Sequence, residues 1–173
     1  MAKALGRLGT RAWAAVTGRN RDQSSVKVAG NVVTRCYRDG ELLWEDVSHN
    51  IVVKVGTEYA IKVALNAGSQ IGTWYCGLMY ASPTVSATNT LGTHAGWTEA
   101  TEYSQSTRPT WIEAVVASAT SGNSWTWTLG NSANKAGFTI SAAITVGGVF
   151  LCSTNTGTSG TLYSGVAFSG GDR

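Results

Sequence analysis

Residues 71–80, IGTWYCGLMY, decide how this chain is read. Side chains alternate between the two faces of an extended strand, so Trp74, Cys76, Leu78 and Tyr80 share one face while Tyr75 and Met79 take the other. Apolar residues on both faces mean a strand covered on both sides. Such a strand needs neighbours, and the sequence downstream offers them. Strand candidates at 111–117, 124–129, 136–142, 144–151 and 161–168 are separated by small polar residues. Trp125, Trp127 and Leu129 alternate with Thr126 and Thr128, and Phe138 and Ile140 with Thr139 and Ser141. That is the pattern of antiparallel strands with one packed face.

Upstream, the period changes. In 52–66, VVKVGTEYAIKVALN, the residues Val52, Val55, Tyr59 and Val63 recur at helical steps, with Ile61 and Leu65 beside them. Glu58 and Lys62 form an i,i+4 pair, and Asn66 with Gly68 supplies a stop. Earlier still, Val26, Val28, Val32 and Cys36 share a strand face, Asp39–Gly40 is a strong hairpin turn, and ELLWEDV follows with an acidic cluster of Glu41, Glu45 and Asp46. One helix among many strands predicts a mainly β fold: an antiparallel β-sandwich or partly open barrel with one packed α-helix.

The 173 residues suffice for one domain, assigned to 22–173, preceded by a basic arm over 1–21. Charge is uneven: residues 1–38 hold eight Lys or Arg against one Asp, residues 39–107 two against seven, and residues 108–173 three against two. In the arm, Lys3, Arg7, Arg11, Arg19 and Arg21 accompany Leu5, Leu8, Trp13 and Val16, which predicts attachment to a neighbouring subunit by charge and apolar burial together. Only 13% of the chain is charged, about half the usual share, which suits a β-rich surface or a subunit covered by neighbours. No apolar run reaches the length of a membrane span, so no membrane insertion is expected.

Catalytic patterns are scarce. His49 and His94 lack metal-ligand spacing, and Cys36, Cys76 and Cys152 lack a C-x-x-C pair and read as reduced, buried thiols. Glu99 with Glu102, or Glu45 with Asp46, are the carboxylate pairs a glycoside hydrolase would need, but solvated turns or interfacial ion pairs are the simpler reading. Phosphate-loop, dinucleotide and nucleophile-elbow motifs are missing. The expectation is a non-enzymatic protein with no metal, no cofactor and no specific nucleic acid. The long polar connection 82–108 reads as functional or interfacial, with Trp97 as a rigid anchor and Glu99, Glu102, Tyr103 and Arg108 as polar contacts. At the far end, Tyr163, Val166 and Phe168 form a terminal strand with five residues beyond it, so Tyr163 and Phe168 are expected beside an intermolecular contact.

Four ordered blocks carry a resemblance: DGELLWEDVSHNIVVKVG (39–56), GTWYCGLMYASP (72–83), HAGWTEATEYSQSTRPTW (94–111) and TLYSGVAFSGGDR (161–173). Together they resemble small virion-associated structural proteins of tailed bacteriophages and prophages. Members of that group continue past the SGGDR block into another strand-like segment, which leaves open whether the chain extends beyond Arg173. The resemblance implies a virion location after assembly in the bacterial host cytoplasm, and no catalytic residues. The expected role is a capsid decoration or cement subunit, with neighbouring copies and other virion structural proteins, the major capsid protein first, as partners. A tail, neck or head-fibre component, with possible host-surface contact, is the second expectation; a carbohydrate-binding module or a small hydrolase comes after it.

Overall fold

The computed structural model describes residues 28–122 and 124–173. The arm at 1–21, with Lys3, Arg7, Arg11 and Trp13, lies outside the described residues. The fold is mainly β with one packed helix, and its antiparallel sheets are open rather than closed into a barrel.

The first two strands, β1 (Asn31–Arg38) and β2 (Glu41–His49), pair as the expected hairpin. Asp39 and Gly40 turn it with φ of 52° and 84°, the doubly positive geometry whose twist matches the flanking strands. After Asn50 the chain continues as β3 (Ile51–Val52) and enters α1 (Lys54–Leu65). The helix lies close against the sheet because residue 56 is glycine: a β-carbon there would overlap the Tyr163 carbonyl. That carbonyl accepts a hydrogen bond from the Val53 N–H at 3.1 Å, and the Lys54 N–H donates to the Ala87 carbonyl at 2.7 Å.

The main sheet is built around β4 (Trp74–Tyr80). One of its edges pairs with β9 (Val146–Cys152), which pairs with β10 (Leu162–Ala167), which pairs with β3. Its other edge is shared by β5 (Glu99–Ala100) at Leu78 and Met79 and by β6 (Thr110–Trp111) at Trp74 and Tyr75. The expected two-sided burial is present. Met79, on one face, packs with Val53, Leu91, Trp97, Phe150, Cys152 and Leu162. Leu78, on the other, packs with Ala100 and Tyr103 against Phe138, Ile144 and Val149.

Three strand expectations need correction. Residues 136–142 form no strand; Ile140 makes a single bridge to Tyr103. The Gln105 side chain accepts from the Thr139 N–H at 3.1 Å, occupying the donor that a longer ladder would use. The stretch 111–117 divides into β6 and the start of β7 (Ala117–Ser121), which pairs with β8 (Ser124–Thr128) in a separate two-stranded sheet. Where side chains of this hairpin are described they are exposed, so the expected packed face is not formed there. The terminal strand β10 lies between β9 and β3, and Arg173 exchanges backbone hydrogen bonds with Val146 at 2.8 and 2.9 Å.

The Phe150 ring lies over Gly77 on β4, where a β-carbon would overlap it. Gly77→Ala is expected to cost about 1–3 kcal/mol by overpacking. Gly72→Ala, with open space around it, serves as the control. Denaturant unfolding of both variants checks this; equal midpoints would show that the sheet absorbs the methyl group freely.

Candidate functional site

Between β5 and β6 the chain must return along the edge of β4, and Arg108 is where it is fixed. The residue is 3% exposed, so its charge needs partners inside the protein. Glu99 on β5 supplies a two-pronged one, with Nε to Oε1 at 2.7 Å and a terminal nitrogen to Oε2 at 2.6 Å. The remaining N–H groups reach the Thr154 carbonyl at 2.9 Å and the Gly157 carbonyl at 2.7 Å. Its own N–H donates to the Asn155 carbonyl at 2.9 Å, and the guanidinium stands 5.4 Å from the centre of the Phe150 ring. Burial opposes the charge, but hydrogen bonding to Glu99 outweighs it and holds the guanidinium above its ordinary pKa. One side chain thus ties the 101–109 return, β5 and the 153–160 loop together.

A shallow, open pocket of about 160 Å³ lies over this cross-link, lined by Glu99, Tyr103, Gln105, Arg108, Asn155 and Thr156 among others. Its two charged groups are bound to each other. Glu102 is committed as well: it accepts from the Tyr80 hydroxyl and, at 3.0 Å, from the Thr101 N–H. The bond to Tyr80 is the main influence lowering the Glu102 pKa, as it is in raising that of Tyr80. The other carboxylate pair considered, Glu45 and Asp46, is split by strand alternation, with Glu45 exposed and Asp46 buried.

The expected interface anchor, Trp97, faces inward. It is 7% exposed, stacks on His94 with ring centroids 3.7 Å apart, lies 4.9 Å from Phe150, and donates from Nε1 to Asn89 Oδ1 at 3.2 Å. Tyr103 and Arg108 are likewise buried, Glu99 is half-buried and Glu102 is partly exposed. The polar segment therefore covers β4 from within the chain, Trp97 over the Met79 face and Tyr103 over the Leu78 face. Phe168 is buried against Trp44, with ring centroids 5.7 Å apart, and Tyr163 is half-buried beside Trp74 at 5.3 Å. Of the three cysteines expected as buried thiols, Cys152 is buried while Cys36 and Cys76 are half-buried; burial, with Cys152 nearby, pushes Cys76 up to about 12, and burial raises Cys152 too.

Asp46 holds a second cross-link that sequence reasoning missed. Its carboxylate accepts from the Ser48 hydroxyl, the Gly170 N–H at 2.8 Å and the Ser169 hydroxyl at 3.2 Å. Burial pushes its pKa up, but these bonds together lower it below the usual value. The available signal was the shared strand face of Trp44, Asp46 and Ser48, an acid beside an aromatic residue and a hydroxyl. With that face locked to the 168–173 turn, the hairpin's outer face is left to solvent. There Val33 pairs with Val47, and Tyr37 pairs with Leu42 beside the bulged Leu43; all five are about half exposed. The Arg35–Glu45 ion pair crosses the same face at 2.5 Å. Among the described residues no group of three or more His, Cys, Asp or Glu is placed to hold a metal ion.

Set against protein-family models, curated proteins and solved structures, the chain matches none.

Arg108→Ala is expected to cost about 3 kcal/mol, because it leaves Glu99 and two carbonyls without their donor. Arg108→Lys should recover only part of that, since an ammonium cannot reproduce the fork. Thermal and denaturant unfolding measure both; a lysine variant as stable as wild type would refute the two-pronged role.

Asp46→Asn is expected to cost about 2 kcal/mol at neutral pH. Because the folded-state pKa is depressed, the carboxylate's contribution is fully present above the unfolded value of about 3.9 and is lost as pH falls through the folded value. The stability gap between wild type and D46N should therefore be constant above about pH 5 and narrow below about pH 4. A gap independent of pH across urea melts would refute the charge-based account.

Proposed function

We propose that this chain is a non-enzymatic structural subunit of a tailed-bacteriophage particle, a capsid decoration or cement protein that lies across neighbouring major capsid proteins and opposes rupture of the head. The observation that carries the reading is the outer face of β1–β2, where Val33, Tyr37, Leu42, Leu43 and Val47 are displayed on a hairpin anchored from behind by Asp46. Exposed apolar residues on either side of the Arg35–Glu45 ion pair, on a held element, have the mixed apolar and polar character of a protein-binding surface. Burying it on a shell adds binding free energy that favours the assembled state.

The four sequence blocks that resemble small phage virion proteins support the particle assignment, and the low charge density supports a subunit covered by neighbours. The polar groups that a small hydrolase would use, Glu99, Glu102 and Asp46, are engaged in cross-links within the chain. Lys3, Arg7, Arg11 and Trp13 would add a basic attachment to an acidic capsid patch.

Quantitative mass spectrometry and labelling of intact particles test this. Decoration predicts copies in the hundreds, distributed over the head. About six or twelve copies, or a stack along the tail, would overturn decoration in favour of a neck or tail role. Absence from particles would overturn both.

A further inference from the structure

The hairpin β7–β8 stands apart from the main sheet. Its strands pair with each other in a sheet of their own, and its base is closed by the Ala114 N–H donating to the Gly130 carbonyl at 2.7 Å. An isolated two-stranded ribbon is marginally stable in water; a third strand is what makes such an element secure. Each strand has one partner among the described residues, so β7 presents an outer row of backbone donors and acceptors. Proteins guard such edges with Lys, inward charge or Pro. Here the guards are missing: residues 114–134 contain no Asp, Glu, Lys, Arg, His or Pro. The strand itself, ASATS, is small throughout, and Ala117, Ser118, Ala119 and Thr120 are exposed.

That composition selects the occupant. A charged polymer or acidic surface finds nothing on this ribbon to pair with electrostatically, whereas an identical uncharged ribbon meets no repulsion. A two-fold axis sets a strand antiparallel to its own copy, the arrangement an antiparallel ladder requires. Small side chains let the two backbones approach. Ile112 and Val116, each about half exposed, and Val115, 92% exposed, lie at the base of the ribbon, where a second copy would cover them.

We propose that β7 is a self-association edge: it pairs with β7 of a second copy about a two-fold axis near Ala119, joining two ribbons into one four-stranded sheet. This goes beyond the proposed particle role and does not depend on it, since it concerns the isolated protein.

The test is sedimentation of the full chain over a concentration series, with hydrogen exchange read at each concentration. The expected result is a reversible dimer in which residues 117–121 gain protection as the dimer forms. Ala119→Lys places like charges across the axis and should raise the dimer dissociation constant at least about tenfold. Gln70→Lys, an equal charge on an exposed loop, should leave it unchanged, and far-UV circular dichroism should match wild type for both variants. A protein monomeric throughout the series would overturn the proposal, as would a dimer that A119K leaves intact. Protection of 117–121 that arises only on bound particles would overturn it in favour of another partner.

Discussion

Strand β4 carries apolar side chains on both faces, and the rest of the molecule is arranged around the need to cover both. Met79 requires a layer on one side and Leu78 a layer on the other. Neighbouring strands cannot supply these layers, because they occupy the edges. The covers come instead from connecting segments: α1 and the 82–98 stretch over Met79, and the 101–109 return with Phe138 and Ile144 over Leu78. Irregular segments used this way carry backbone and side-chain polar groups into the interior, and those groups need partners. Arg108 is the clearest consequence, a buried cation whose donors satisfy Glu99 and the carbonyls of Thr154 and Gly157.

This arrangement reverses the expected division of labour between the polar segment and the strands. Trp97, Tyr103 and Arg108, which composition places in an exposed loop, are interior. Val33, Val47 and Leu42, which belong to regular strands, face outward. The outward half of this reversal follows from the hairpin's other face. The inner face of β1–β2 is occupied by a polar latch, with Asp46 and Ser48 holding the Ser169 and Gly170 backbone. A hairpin whose inner face is partly polar leaves its apolar residues on the other.

Local chemistry was legible from the sequence. The Asp39–Gly40 turn, the helix at 52–66 and the two-sided strand at 71–80 depend on spacing within a few residues, and each stands close to its expected place. Features that depend on distant partners were not legible. Trp97 is interior because Phe150, more than fifty positions away, lies beneath it. Residues 136–142 alternate as a strand should, yet their partner is the short stretch around Tyr103, too brief to propagate a ladder. Asp46 resembled a solvated acid because its donors, Ser169 and Gly170, come from the last turn of the chain. For the candidate site, Glu99 and Arg108 were named only among the polar groups of the 94–111 segment, because alternation and charge indicate neither that the two pair with each other nor whether they face a partner or the interior.

The central claim is that the proposed particle-binding surface lies on β1–β2 while the 94–111 segment is internal structure. Hydrogen exchange of the intact chain, free and bound to purified particles, tests it most directly. The account predicts new protection over 31–49 on the particle, with 94–111 already protected in the free protein and unchanged on binding. Strong new protection confined to 94–111, with β1–β2 exchanging as before, would contradict it.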